Sequence, residues 1–466
     1  MITAVVGAGG KTTLIHTLAQ KYRAQGKRVF VTTTTHMYIE PDTLLTADAE
    51  EILCRLNETG YVMAGLPFGE KIAPLPPKVY RAVCAGADEV LVEADGSRHL
   101  PVKFPAEHEP VIPENADRII AVCGLHALGR TVMEAAFRPE LVKRCLNIGD
   151  DTKLTPGHIQ QLMTKGYVER MKREYPEKEV QVYAAHDGSL YQRALASLLA
   201  AGMDVDLLKE EWFEPKPCLF ICGSGHVARE LADLAARIDF RVQVLDPRPE
   251  FANRERFPEA ERVICDRFEN LKDYLVPNGY YVVVTPGHQD DYACVRTLVD
   301  APRRYLGMIG SRGKVAKTFQ RLAEDGVTEA QIQAIHAPIG LPIGAQTPGE
   351  IAVSILAEII QEKNRRSGAS VSAELLNTRR GGVLCIITEK TGSAPRGVGS
   401  MMLVTEDGQL DTIGGGAVEN AAAEDARRQP VACVREYVLD SREGARLGMI
   451  CGGTNKVLFL PIEGEE

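Results

Sequence analysis

CLFICGSGHVARELADLAARIDFRVQVLD, residues 218–246, decides the fold class. An apolar run enters a glycine-rich turn, the segment VARELADLAARI has a helical pattern, and FRVQVLD reads as a second strand. A later apolar run, YYVVVTPG, supplies a further strand. Strands separated by helical segments imply crossover connections and a mainly parallel sheet. Upstream, ITAVVGAGGKTTLIHTLAQKYRAQG repeats this order, with Leu14, Leu18 and Tyr22 on one helical face, and apolar runs follow at residues 29–31, 89–92 and 118–122. Downstream the pattern changes: VLCIIT, MMLVTED and KVLFLPI are short runs broken by glycine-rich segments, the signature of a β-rich unit. The fold class expected is α/β: a P-loop-like parallel-sheet domain (residues 1–213), a Rossmann-type domain (214–362), and a smaller β-rich α+β domain (378–466). A charged stretch with two prolines near 204–217 and a polar stretch at 362–380 mark the boundaries.

Composition narrows the function classes. The chain has 466 residues, 45% hydrophobic and 25% charged, the balance of an ordinary folded protein. A net charge of -9 leaves no overall basic field for nucleic acid or anionic lipid. No run reaches the roughly 18 apolar residues of a spanning helix, and residues 1–10 lack the features of a signal peptide, so a cytoplasmic location without membrane partners is expected. The 11 cysteines show no CxxC pair, so most are expected to be reduced and buried.

Three sets of residues carry candidate chemistry. In the first block Gly7, Gly9, Gly10, Lys11, Thr12 and Thr13 lie between a strand and a helix, where backbone N–H groups can cradle phosphate; the spacing is a shortened GxxGKT. Lys11 is expected to meet phosphates, Thr12 and Asp95 to hold Mg²⁺, and Glu93 or Asp95 of VLVEADGS to act as the catalytic carboxylate. Nothing reads a base, so ATP and GTP are not separated. The threonines of residues 32–35 and His36 lie at the ligand edge of the second strand, at least two of those threonines reading as β-formers; His108 reads as a surface residue. In the second block Gly223, Gly225 and Ala228 form GxGxxA, with His226 inside the turn; Asp246 is placed to accept a ribose hydroxyl, and His288 and Asp291 follow a later strand. A dinucleotide, NAD(P), is the natural ligand of such a turn, although other phosphorylated ligands use it. In the third block Arg396 is a partner for an anion, Gly414, Gly415 and Gly416 form a turn followed by Glu419, and Cys451 with Gly452 could expose a thiol for sulfur or a soft metal.

Longer stretches resemble known families. GSGHVARELADLAARIDFRVQVLDPRPEFA, TPGHQDD, YLGMIGSRGKV and HAPIGLPIGAQTPGEIAVSILAEII resemble the Rossmann domain of the XdhC family, accessory factors for xanthine dehydrogenase and related molybdenum hydroxylases. TGSAPRGVGSMMLVTEDGQLDTIGGGAVE with GMICGG is similar to that family's XdhC/CoxI domain. VVGAGGKTT with VEADGSRHLPVKFPAEHEPVIP is similar to YqeC, a protein associated with selenium-dependent molybdenum hydroxylases. The resemblance implies a maturation factor that binds molybdenum cofactor, supports its sulfuration or selenation and delivers it to an apo-hydroxylase. The implied partners are that enzyme, a cysteine desulfurase or selenium donor, and a second copy in a homodimer. The cofactor positions it implies are Gly223, Gly225, Asp246, His288, Asp291, Arg396, Gly414 to Gly416, Glu419, Cys451 and Gly452. Two departures stand out: the XdhC/CoxI-like part follows the Rossmann part instead of preceding it, and only His288 remains where many family sequences have TH-x-H. Three functions are carried forward: a maturation factor with an N-terminal NTPase, an NAD(P)-dependent oxidoreductase using the second block, and a non-catalytic cofactor-binding chaperone.

Overall fold

The computed structural model describes residues 1–214, 216–366, 371–392, 396–439 and 453–465. The first sheet is built from β1 (Ile2–Gly7), β2 (Val29–Thr33), β3 (Tyr61–Met63), β4 (Glu89–Glu93), β5 (Arg118–Gly124) and β6 (Glu179–Ala185). All six run parallel in the order β6-β5-β1-β4-β2-β3. β2 and β4 are buried along their whole length, as strands covered on both faces must be. One cover is α1 (Lys11–Ala24), whose Leu14, Ile15, Ala19 and Tyr22 pack on Val5, Val31 and Leu91. Two sets of short strands sit at the edge where β1, β2 and β4 end. Met37–Tyr38, Leu66–Phe68 and Lys71–Ala73 form an antiparallel flap, and Val102–Lys103 pairs with Ala136–Phe137.

After α2 (Leu190–Ala201) the second sheet begins: β7 (Cys218–Cys222), α3 (His226–Arg237), β8 (Arg241–Asp246), β9 (Arg262–Cys265), β10 (Gly279–Val283), α4 (His288–Leu298), β11 (Arg303–Met308) and α5 (Arg312–Glu324). The strands are parallel in the order β9-β8-β7-β10-β11, so the direction of winding reverses between β7 and β10, where a doubly wound sheet opens its ligand crevice. This is the Rossmann-type architecture read from residues 218–246. α6 (Pro348–Arg366) packs against the α3 side of the sheet through Ala352, Ile355 and Ile359. It runs past Ile360, where the apolar pattern stops: Asn364 and Arg365 are exposed, while Lys363 is half-buried with its Nζ 5.4 Å from the Phe240 ring centroid.

The third sheet is antiparallel throughout, ordered β14-β13-β12-β16-β15 from β12 (Gly382–Gly392), β13 (Met401–Thr405), β14 (Gly408–Asp411), β15 (Cys433–Leu439) and β16 (Gly453–Ile462). Period-2 alternation splits β12 between two cores. Val383, Cys385 and Ile387 face α7 (Gly416–Arg428), while Leu384 and Ile386 join a cluster containing Leu195, Leu198 and Leu199 of α2. The first and third sheets therefore share one core through α2, and the second sheet has clusters of its own. Arg193 of α2 fastens this junction by donating to the carbonyls of Thr378, Arg380 and Glu463.

Candidate functional site

β1 ends in a turn that only glycine can make at its first position. Gly7 has φ +93°, and a Cβ there would lie 2.1 Å from the Val122 carbonyl oxygen of β5. The Gly7 amide donates to Asp95 Oδ2 at 3.1 Å and the Ala8 amide to Val122 O at 2.9 Å. These two groups are consumed inside the protein, so Gly7 shapes the turn instead of binding an anion as its place in the motif suggested. Gly9, Gly10, Lys11, Thr12 and Thr13, at the start of α1, line a cavity of about 1040 Å³.

Lys11 is 5% exposed; its Nζ donates to Gly7 O at 2.9 Å and Ser97 Oγ at 3.2 Å and lies 4.0 Å from Glu93 Oε1. Burial lowers the Lys11 pKa from its ordinary value, against the pull of Glu93 and Asp95. Burial likewise raises that of Glu93, with Lys11 opposing it. The Thr12 hydroxyl donates to Glu93 Oε2 at 3.3 Å. A hydroxyl and a carboxylate side by side at a helix N-terminus are hard oxygen donors of the kind Mg²⁺ takes when phosphates supply its other ligands. Among the described residues, no group of three or more His, Cys, Asp or Glu side chains could hold a metal ion.

Asp95 is not at the cavity surface. It has no exposed area, and its carboxylate accepts from Lys103 Nζ at 2.5 Å, Tyr167 Oη at 3.2 Å and the Gly7 amide. Asp95, expected as a Mg²⁺ ligand and, with Glu93, as a candidate catalytic carboxylate, is instead the floor of the loop, since it has no exposed area and protein donors hold both its oxygens. Lys103 continues the network to Gly96 O at 2.8 Å and Glu109 Oε2 at 2.9 Å, and Arg138 reaches the same oxygen of Glu109 at 3.0 Å. Of the threonines at the end of β2, Thr32 donates to Ala64 O and Thr33 to Glu93 O, while Thr34 and Thr35 line the cavity with His36. His108 also lines it, not merely the outer surface.

The second sheet brings Gly223, Gly225, His226, Asp246, His288 and Asp291 to one edge. Gly223 sits where a Cβ would be 2.4 Å from Val284 O, so the turns after β7 and β10 touch. His226 and His288 are the exposed first residues of α3 and α4. Asp246, however, has no exposed surface and no free side: Arg248 grips both its oxygens at 2.8 Å, and the Ser224 and Arg248 amides donate to it at 3.0 Å. Burial raises its pKa, but these hydrogen bonds outweigh that and hold it below the ordinary carboxylate value. It cannot accept a ribose hydroxyl in this arrangement. Asp291 is likewise enclosed, accepting from Thr285 Oγ1 at 2.6 Å and pairing with Lys314.

In the third block Glu419 organises the loop before α7. Its Oε2 accepts from the Thr412 hydroxyl and from the amides of Ile413 at 3.0 Å and Gly415 at 2.9 Å, and the Gly414 amide donates to Thr412 Oγ1 at 3.0 Å. The Gly414 and Gly415 amides are thus engaged internally and are not offered to an anion. Cys451 and Gly452 lie outside the described residues.

Three family models match along the chain: YqeC protein over residues 3–140, XdhC Rossmann domain over 219–359, and XdhC and CoxI family over 375–433. The chain joins a YqeC-type part to an XdhC/CoxI-type pair. Among curated relatives, the uncharacterized protein YqeB of Escherichia coli K12 is 38% identical over 155 residues, 33% of this chain and 28% of that protein. YqeC of the same organism is 37% identical over 172 residues, 34% of this chain and 64% of that protein. A probable xanthine dehydrogenase subunit from Bacillus subtilis 168 is 36% identical over 154 residues, 33% of this chain and 44% of that protein. The matches thus span from 28% to 64% of these relatives' own lengths.

The XdhC and CoxI family match follows the XdhC Rossmann domain match along the chain. Arg396 lies within electrostatic reach of Asp239, just beyond the C-terminal end of α3. At about 1.5 Å per residue, the 12 residues of α3 separate that end from the Gly223–His226 turn by about 18 Å.

In the YqeC-type part the sequence reading missed Lys103. Its segment, PVKFPAEHEP, gives no periodicity that distinguishes a buried ammonium from a solvated one; the nearby EAD and EHEP residues were the available signal, since a lysine between two acidic segments is placed to be shared between them.

Proposed function

We propose that this chain is an accessory factor in the maturation of a molybdenum hydroxylase of the xanthine dehydrogenase kind. The observation that carries the reading is the union, in one chain, of segments matching YqeC, the XdhC Rossmann domain and the XdhC/CoxI family. The Bacillus subtilis relative, itself a probable part of a xanthine dehydrogenase, supports the choice of client.

The N-terminal cavity takes a nucleotide with Mg²⁺. Gly9 to Thr12 present backbone N–H groups, Lys11 supplies a cation, and Thr12 with Glu93 holds the metal, which neutralises charge between phosphates. The XdhC/CoxI-type pair handles the molybdenum cofactor, with a cysteine desulfurase or selenium donor supplying the terminal chalcogen. A homodimer is the arrangement in which Arg396 of one copy would face the Rossmann turn of the other.

The test is purification from cells that make molybdenum cofactor, followed by metal analysis and fluorescence detection of oxidised pterin in the denatured protein. Pterin and molybdenum near one per chain support the reading. NAD(P) in their place transfers it to an oxidoreductase. Nucleotide affinity that is unchanged in Lys11→Ala removes the NTPase role and leaves a cofactor-binding chaperone.

A further inference from the structure

The cavity beside Lys11 has an aromatic side as well as a phosphate side. Tyr38, on the first strand of the flap, is paired in register with Lys71, whose Nζ lies 4.5 Å from the Tyr38 ring centroid. The ring of His99, from the loop after β4, is stacked 5.2 Å from that of Tyr38 at 29°. Behind them His36 packs on Phe68 at 4.4 Å. Tyr38 and Phe68 remain 45% and 59% exposed, although each is large and apolar. Arg98 and His99 both hold left-handed backbone, with φ of 48° and 62°, a conformation that non-glycine residues keep only where their surroundings impose it. Lys71 joins the two sides, since its charge also acts on Glu93, which accepts from Thr12.

We propose that His99, held by its stack on Tyr38 with Lys71 also over the Tyr38 ring, presents a stacking wall for the flat heteroaromatic ring of a phosphorylated ligand, a nucleotide base or a phosphorylated pterin, whose phosphates lie at Lys11. This rests on the anion reading of the same cavity given above. A cavity of about 1040 Å³ has room for a ring and its phosphate chain together. Aromatic faces bind such rings through stacking with little regard to their hydrogen-bonding edges, which explains why the first block contains no base-reading motif.

The experiment is isothermal titration of the full chain with Mg²⁺ and four probes: tripolyphosphate, ATP, GTP and a phosphorylated pterin. At least one ring-bearing probe is expected to bind about tenfold or more tightly than tripolyphosphate. That ratio is expected to collapse in Tyr38→Ala and to persist in Tyr38→Phe, which keeps the ring. The tightest ring-bearing probe identifies the source of the ring. Equal affinity for ring-bearing probes and tripolyphosphate, or a ratio untouched by Tyr38→Ala, overturns the wall while the anion site stands. Failure of all four probes to bind overturns the anion site and the wall together.

Discussion

The ammonium of Lys103 lies 2.5 Å from the carboxylate of Asp95, and neither side chain has any contact with solvent. Removing one partner of such a pair leaves a buried charge without compensation, at a cost of about 3–5 kcal/mol. Lys103→Met is therefore expected to lower unfolding stability by about that amount, measured by urea titration. Because Asp95 also holds the Gly7 amide, phosphate affinity should fall with it. A variant as stable as the parent would show that the Lys103–Asp95 pair does not hold this loop together.

Gly7→Ala meets the Val122 carbonyl at 2.1 Å and a left-handed backbone at once. The backbone of β5 cannot yield without parting from β1, so the turn must rearrange. Loss of anion binding with the Rossmann part still folded is the expected result, checked by titration with tripolyphosphate and by circular dichroism. Unaltered binding would mean that the turn is softer than its packing implies.

Arg193→Met deletes three donors that α2 gives to the third sheet. Each hydrogen bond from a charged group contributes about 1.5–3 kcal/mol, so a loss of about 3 kcal/mol or more is expected at this junction. Hydrogen exchange should accelerate in residues 382–392 and 453–462 before it does in the Rossmann sheet. Uniform acceleration across all three sheets would place the weak point elsewhere.

Glu419 gives a pH signature. Burial raises its pKa, but hydrogen bonds from Thr412, the Gly415 amide, Gln409 and the Ile413 amide outweigh it and hold the carboxyl below its ordinary 4.5. A lowered folded-state pKa contributes stability that is present above pH 4.5 and is lost as pH falls through the depressed value. Thermal melts should therefore show Glu419→Gln less stable than the parent at pH 7, with the gap closing as both are taken below pH 4.5. A gap that stays constant with pH would assign the effect to packing.

The elements that sequence made legible are those whose pattern is local. The runs at 29–31, 89–92 and 118–122 are β2, β4 and β5, and residues 218–246 form β7, α3 and β8 as read. β6 was not legible, because its alternation of exposed and half-buried residues lacks the continuous apolar run of a central parallel strand. The cavity was legible in Lys11, Thr12 and Glu93, which lie at the ends of adjacent elements. Asp95 and Asp246 were misread because a carboxylate at a strand end looks the same whether it faces a ligand or is gripped by a lysine or arginine. The partner of Asp95, Lys103, is eight residues distant and reaches it only through the fold. That of Asp246, Arg248, is two residues away, but sequence does not show which way its side chain turns.

The core shared by α2 and the third sheet also sets an order of events during synthesis. A ribosome working at about 5–20 residues per second releases Leu195, Leu198 and Leu199 tens of seconds before β16 exists to cover them, with the whole Rossmann part made in between. During that interval this face of α2 lacks the cover that the third sheet gives it, and closure of the shared core waits for β16 to pair with β12 and dock on α2.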